Sequence, residues 1–257
     1  MSIIDLIHNF INRNNENYYI EKIKQSDKIP QHIAFIMDGN GRWALKQHQQ
    51  RTYGHRNATK YVIDIVKGCY KIGIKYMSFF VFSTENWKRP ADEVNTIFKI
   101  ICDFIDNNIN ECIAQKICVR ILGEIGQLPK ILYEKLMILV EKTKNFTNVY
   151  VNLCINYSGK WDIISSIKNL INKGINNLSD IKITDLDNFF RSNSPDPDII
   201  IRTGGDQRLS NFFLWQASYS ELFFEKKQWP DFNNIDLYKI LLEYQNRKRR
   251  YGGLVNY

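Results

Sequence analysis

Five consecutive apolar residues, Ile33 to Met37, end abruptly at Asp38-Gly39-Asn40-Gly41. A run of that length suits a buried strand and is too short for a buried helix. The following residue types tolerate unusual backbone angles and do not extend a strand. Arg42-Trp43-Ala44-Leu45-Lys46 then reads as the first turn of a helix, with Asn40 as its N-cap. A carboxylate thus stands where a strand ends, beside glycine-lined backbone, which is where open α/β sheets bind ligands. Backbone N–H groups there favour a phosphate. Asp38 repels that phosphate unless a divalent cation bridges the two.

The rest of the chain repeats the pattern. Tyr76 to Phe82, Ile117 to Leu122, Val149 to Ile155, Asp198 to Ile201 and Glu221 to Phe224 are further strand candidates. Helical spacing runs through Asn57 to Ile72, Pro90 to Glu111 and Leu128 to Lys144, then from Trp161, over Asn211 to Ala217, and from Ile235 to Arg249. Asn172 to Asn193 is Asn-rich and predicts a surface excursion with a short helix. Strands alternating with helices imply an α/β fold, a mostly parallel six-stranded sheet covered on both faces. Residues 1–28 read as an N-terminal helix (apolar residues between Ile3 and Ile11) and a mobile link, and 29–257 as one domain. That N-terminal helix suits packing on the body of the protein or on a partner subunit, or resting on a membrane surface.

The chain has 257 residues, is 44% hydrophobic and carries a net charge of +8, which favours acidic partners such as phosphates. Arg247-Lys248-Arg249-Arg250 suggests nucleic acid, but no recognition helix or base-stacking module accompanies it, so no nucleic-acid partner is expected. The five cysteines form no Cys-x-x-Cys pair, and buried thiols are expected rather than a disulfide framework or zinc site. Gly39-x-Gly41-x-x-Ala44 fits the loose dinucleotide fingerprint, but the acid this requires at the end of a nearby second strand is missing.

Polar groups gather at the predicted C-terminal strand ends: Asp38 after the first, Ser83 to Arg89 after the second, Arg202 after the fifth. Parallel strands bring those ends to one rim. Arg42, Arg51, His55 and Arg89 lie near the first two loops, and Arg202, Arg208 and Ser210 near the fifth. Arginine presents a permanently charged fork suited to phosphate oxygens.

These motifs carry a resemblance. Asp38-Gly39-Asn40-Gly41-Arg42-Trp43, Phe82-Ser83-Thr84-Glu85-Asn86-Trp87-x-Arg89-Pro90 and Arg202-Thr203-Gly204-Gly205-x-x-Arg208-Leu209-Ser210-Asn211-Phe212 are similar to cis-prenyltransferase signatures. So are Asn156-Tyr157-x-Gly159-x-Trp161-Asp162, Trp215-Gln216 and Arg249-Arg250-Tyr251-Gly252-Gly253. The likeness runs in unbroken order from His32 to Gly253 and points to undecaprenyl and dehydrodolichyl diphosphate synthases. It implies condensation of isopentenyl diphosphate onto an allylic starter such as farnesyl diphosphate, with cis geometry, giving a long-chain polyprenyl diphosphate of dolichol or undecaprenol type. The alternative is a non-catalytic partner subunit of such a synthase.

By the same resemblance Asp38 is the essential acid at a Mg2+ site and Glu221 a second metal contact. Gly39, Asn40, Gly41, Arg42, Trp43, Arg51 and His55 cradle the allylic diphosphate. Ser83, Thr84, Glu85, Asn86, Trp87 and Arg89 serve the condensation, Asn86 among the catalytic residues. Arg202, Arg208, Leu209 and Ser210 hold isopentenyl diphosphate. A hydrophobic product tunnel, lined by Phe79, Val81, Leu153 and residues between Val94 and Ile109, a homodimer, and a cytoplasmic location with peripheral contact at the endoplasmic reticulum or another membrane complete the expectation. Where bacterial members often have Glu-His between Gly-Gly and Arg, this chain has Asp206-Gln207.

Overall fold

Each apolar run read as a strand becomes one in the computed structural model, which describes residues 15–174, 181–190, 194–249 and 253. The strands are β1 (His32–Ile36), β2 (Tyr76–Ser83), β3 (Ile117–Leu122), β4 (Val149–Tyr157), β5 (Ile199–Arg202) and β6 (Glu221–Phe224). They form one sheet in the order β3-β4-β2-β1-β5-β6. Every pairing is parallel. The α-helices that follow β1 are α1 (Asn40–Lys46), α2 (Arg51–Ala58), α3 (Val62–Ile72), α4 (Ala91–Ala114), α5 (Lys130–Thr143), α6 (Gly159–Asn172), α7 (Ile183–Phe190) and α8 (Asn234–Asn246).

Parallel strands joined by helical crossovers are buried on both faces and therefore read as continuous apolar runs. All five residues of β1 are buried. Alternate residues serve two cores. Ile33, Phe35, Met77, Phe79, Val119 and Leu153 join a large cluster with Ile65, Ile101, Leu136 and Leu241 of the helices. Ala34, Ile36, Cys154 and Ile200 face a smaller cluster around Tyr157, Phe212 and Phe213. From β1 the chain moves first to β2 on one side and later to β5 on the other, so the sheet has its topological switch point at β1. The crevice beyond the C-terminal ends of β1 and β5 is therefore where this fold offers a ligand site.

Four local expectations change. Asn40 is not the N-cap of α1. Gly39 takes that position with a left-handed φ of 96°, and the Asn40 amide instead donates to Met37 O at 3.0 Å. The helix expected across Asn57 to Ile72 breaks between α2 and α3. Asn211 to Ala217 is a series of turns, because Ser210, Asn211 and Phe213 all have positive φ. Burial of both Phe212 and Phe213 against the second core overrides the helical spacing there. Finally, residues 15–24 of the expected mobile link are helical, with Ile23 fully buried and its carbonyl accepting from the Gln245 amide at 2.9 Å. The helix expected over residues 2–11, and Arg250 to Gly252 of the terminal motif, lie outside the described residues.

Candidate active site

Ile36 of β1 pairs with Arg202 of β5, so the loop after β1 crosses directly over the last residue of β5. Thr203 fastens that crossing: its hydroxyl donates to Asp38 O at 2.8 Å and accepts from Asp38 N at 3.1 Å. The turn requires glycine at position 39, where φ is 96° and a Cβ would stand 2.8 Å from Gln228 Cγ. Gly41 leaves room for Arg51, because a Cβ there would fall 2.9 Å from its guanidinium carbon.

Asp38 is thereby pressed against two arginines. Arg202 Nη2 donates to Asp38 Oδ2 at 2.6 Å, and Arg42 Nη2 lies 3.3 Å from Asp38 Oδ1. Burial pushes the Asp38 carboxyl up, but the Arg202 hydrogen bond, the Gly39 N–H and the charges of Arg202 and Arg42 outweigh it and leave the group below its ordinary value. It is an anion at neutral pH. Arg202, with its side chain 4% exposed, also donates to Arg208 O at 2.5 Å and Ser210 Oγ at 2.7 Å, which fixes the loop after β5.

Asp206 is the second acid of this cluster. Its Oδ2 lies 3.0 Å from both Arg42 and Arg208. The sequence presents it as a departure from a Glu-His pattern; the structure makes it the carboxylate that spaces the two arginines.

A different acid arranges a second group of cations that lines the same cavity. Glu93, in the first turn of α4 and 13% exposed, accepts from Arg89 at 3.0 Å and lies 3.4 Å from His55 Nε2 and 3.6 Å from Arg51 Nε. Burial and then the neighbouring charge of Arg89 lower the His55 pKa, more than Glu93 raises it. His55 therefore stays neutral at pH 7. Sequence reasoning missed Glu93, since an acid in the first turn after proline reads as ordinary helix chemistry.

Asn211 was missed as well. Its amide donates to Glu85 Oε1 at 2.6 Å while its Oδ1 accepts from Lys160 N at 3.0 Å, so it ties the β5 loop to the β2 loop and to α6. Asn156, at φ 50°, accepts from the Trp87 indole at 2.8 Å and donates to Glu124 O at 2.8 Å. Within the β2 loop, Asn86 Oδ1 accepts from Ser83 N at 3.1 Å.

The result is a cavity of about 840 Å³ lined by Asp38, Gly39, Asn40, Gly41, Arg42, Arg51, His55, Ser83, Glu85, Asn86, Arg89, Arg202, Arg208 and Ser210. Fourteen of the expected site residues thus meet in one place. Five do not. Trp43 turns away to donate to Asp231 at 2.7 Å and to stack on Tyr53. Trp87 packs between Phe82 and Phe98, Leu209 packs on the second core, and Thr84 stays outside the lining. Glu221 opens β6 beside Ile199, at the opposite edge of the sheet from Arg202, and pairs with Arg247 at 2.9 Å. In this chain it is remote from Asp38.

Beneath the polar cavity lies an apolar one of about 100 Å³, between the sheet residues Phe79, Val81 and Leu153 and the helix residues Ala58, Val62, Ile97, Ile101 and Ile105. Met37, Asn40, His55, Phe80, Val81 and Ile97 border both. The arrangement defines an α/β protein with a crowded arginine rim above an apolar compartment.

Comparison with known proteins agrees. Residues 36–252 match the model of the prenyltransferase family described as undecaprenyl diphosphate synthase. An isoprenyl transferase of Clostridium perfringens is 45% identical over 232 residues, covering 89% of this chain and 92% of the relative. One from Thermotoga maritima is 41% identical over 232 residues, with 89% and 99% covered. Among solved structures, lavandulyl diphosphate synthase from Lavandula x intermedia, in complex with dimethylallyl diphosphate, superposes with TM-score 0.84 at 29% identity over 88% of this chain and all of that one. A probable undecaprenyl diphosphate synthase from Campylobacter jejuni gives 0.73 at 30% identity, covering 87% and 98%. The chain belongs to the cis-prenyltransferase family, and it is a prenyltransferase.

Proposed function

We propose that the protein is a cis-polyprenyl diphosphate synthase that extends farnesyl diphosphate, or a similar allylic diphosphate, with isopentenyl diphosphate. The observation that carries this reading is the cationic cavity opening onto an apolar one. Arg202, Arg208 and Ser210 gather around Asp38 and Asp206, while Arg51, Arg89 and His55 gather around Glu93, and all six line the same cavity. Two diphosphates need two such groups, and an allylic tail needs the apolar floor. Each methylene kept from water is worth about 0.8 kcal/mol, enough to retain a lengthening product.

The chemistry follows from the charges. Ionisation of the allylic diphosphate places new negative charge on the departing pyrophosphate, and fixed guanidinium groups stabilise it without reorganising. Holding the alkene of the second substrate in the neighbouring pocket makes its attack effectively unimolecular. Asn86, an amide engaged by the Ser83 backbone, orients its loop and is a poor base.

Magnesium suits the donor set. Asp38 and Asp206 bracket Arg42 and supply hard carboxylate oxygens, and magnesium is commonly bound by one or two carboxylates together with substrate phosphates. Among the described residues no group of three His, Cys, Asp or Glu side chains could hold a metal alone, so substrate oxygens complete the site in this reading. When bound, the ion would supply further positive charge to the diphosphate.

The same reading has two copies of the chain pairing, supported by exposed Ile164 and Ile171 on one face of α6. It also keeps the protein cytoplasmic with peripheral membrane contact. No helix among the described residues is long and apolar enough to cross a membrane. The relatives reported above that are isoprenyl transferases come from bacteria, and the expectation of an endoplasmic reticulum draws no support from them. Incubating the purified protein with farnesyl and isopentenyl diphosphates and magnesium, followed by mass analysis, tests the reading. A ladder of extended prenyl diphosphates is expected; no product longer than the starter would overturn it.

A further inference from the structure

Residues 156–160, at the end of β4, lend no side chain to the polar cavity, yet two of the loops that build it are tied there. The tie begins as an irregularity in the sheet. Phe80 pairs with Cys154, Phe82 with Ile155 and Ser83 with Tyr157, so the register slips twice and leaves Val81 and Asn156 as extra residues. Such bulges re-aim side chains and recur beside active sites. Strict alternation would give the face of the smaller core Cys154 and Asn156; after the slip it takes Cys154 and Tyr157. Asn156 is left out of the alternation with a left-handed φ of 50°, a conformation that asparagine tolerates better than most residues.

Asn156 is fixed without help from the cavity. It is 1% exposed, its amide nitrogen donates to Glu124 O at 2.8 Å, and its carbonyl accepts from Glu124 N at 3.1 Å. Gly123 permits this close approach, because a Cβ there would fall 2.0 Å from Ile155 O. The side-chain oxygen of Asn156 accepts from the Trp87 indole at 2.8 Å. Trp87 stands in the middle of the Ser83 to Arg89 loop, edge-on to Phe82 and Phe98. That loop supplies Ser83, Glu85, Asn86 and Arg89 to the cavity. Three residues beyond Asn156, Gly159 N donates to Asn211 O at 2.6 Å, which ties the loop after β5 to the same segment.

We propose that Asn156 is a positioning residue for the condensation. By holding Trp87 on the segment that also holds Asn211, it sets the spacing between the Ser83 to Arg89 loop and the Arg202 to Ser210 loop. The two substrates must meet in attack geometry between these loops, where a misplacement of about 1 Å can cost about 10²-fold in rate. Binding and spacing are thereby divided. Arginines hold the diphosphates, and the end of β4 holds the loops apart.

This rests on the synthase reading, and the experiment separates the two. Asn156→Gly keeps the left-handed turn and removes the amide. Asn156→Asp keeps an oxygen for the Trp87 N–H, and Trp87→Phe keeps an aromatic ring but removes that N–H. Hydrogen exchange, read by peptide mass analysis with no substrate present, should quicken over Ser83 to Arg89 in Asn156→Gly and Trp87→Phe and stay parental in Asn156→Asp. In extension assays the first two should lose about tenfold in kcat, with KM for either diphosphate within about twofold of the parent. The double variant Asn156→Gly/Trp87→Phe should lose no more than either alone, since both changes break one bond. Asn156→Asp should keep kcat within about threefold of the parent. Losses that multiply in the double variant, or a loss in Asn156→Asp as deep as in Asn156→Gly, would overturn the role of the Trp87 bond. So would parental exchange over the loop in Asn156→Gly, whatever its activity. No extension by the parent chain sinks the synthase reading and with it the condensation step, while the exchange comparison still decides the tie between Asn156 and the loop.

Discussion

At the scale of single residues the site is organised by acids as much as by arginines. Asp38 neutralises a guanidinium that is almost wholly buried, and Arg202 Nε has no hydrogen-bond partner of its own. Asp38→Ala should therefore reduce turnover by about 10²–10³-fold, as expected when a preorganised electrostatic group is lost. It should also cost roughly 1–3 kcal/mol of stability, because it strands that buried charge. Steady-state kinetics and urea unfolding check the two parts; near-parental turnover would remove Asp38 from the mechanism. Glu93 acts through others. Glu93→Gln keeps the shape but releases Arg51, His55 and Arg89 from a common anchor. KM for the allylic diphosphate should rise about tenfold with kcat little changed, the signature of lost uniform binding. An equal fall in kcat would instead assign Glu93 a role in the transition state.

At the scale of elements, the loops after β2 and β5 work as a pair because Asn211 joins them. In Asn211→Ala the Glu85 carboxylate loses the hydrogen bond that, against the opposing effect of burial, does most to hold its pKa below the ordinary value. The Ser83 to Arg89 loop should loosen, and kcat should fall about tenfold, or ~1.4 kcal/mol. Far-UV circular dichroism should stay parental; parental kcat would show that the loops are positioned independently. Legibility in sequence divides along the same line. Asp38, Arg202 and the Ser83 to Arg89 loop announce themselves because polar residues follow apolar strands. Glu93, Asp206 and Asn211 do not, since their roles come from residues brought near by folding. Trp43 and Trp87 show the converse error: residues inside a motif, yet turned toward Asp231 and Asn156 to satisfy their own indole N–H groups. The Asn211 to Ala217 turns were illegible for a third reason, since helical spacing does not record that two consecutive phenylalanines are both buried.

At the scale of the molecule the six strands were readable from their apolar runs, and so was their parallel arrangement; their lateral order was not, because no local pattern encodes which strand lies beside β1. What the order creates on the second face is a buried polar row. His32, 2% exposed, has Nδ1 2.6 Å from Pro195 O and Nε2 2.8 Å from Ser78 Oγ, and Asn152 donates to Ser78 Oγ at 2.9 Å. Pro195 O can only accept, so Nδ1 carries the proton and Nε2 accepts from Ser78. Burial lowers the His32 pKa from 6.5 to about 4, against smaller opposing effects of Pro195 and Asp198. A histidine with a depressed folded pKa stabilises the fold fully above the unfolded value and loses that contribution as pH falls toward the folded one. Unfolding free energy should therefore decline between pH 6.5 and about 4, by up to about 3 kcal/mol from His32 alone. His55, also lowered, adds to the same slope. Urea unfolding across that range tests the prediction when parent and His32→Gln are compared. The variant should lose the His32 share of the slope, whereas identical slopes would mean that His32 takes up its proton in the folded state as readily as in the unfolded chain.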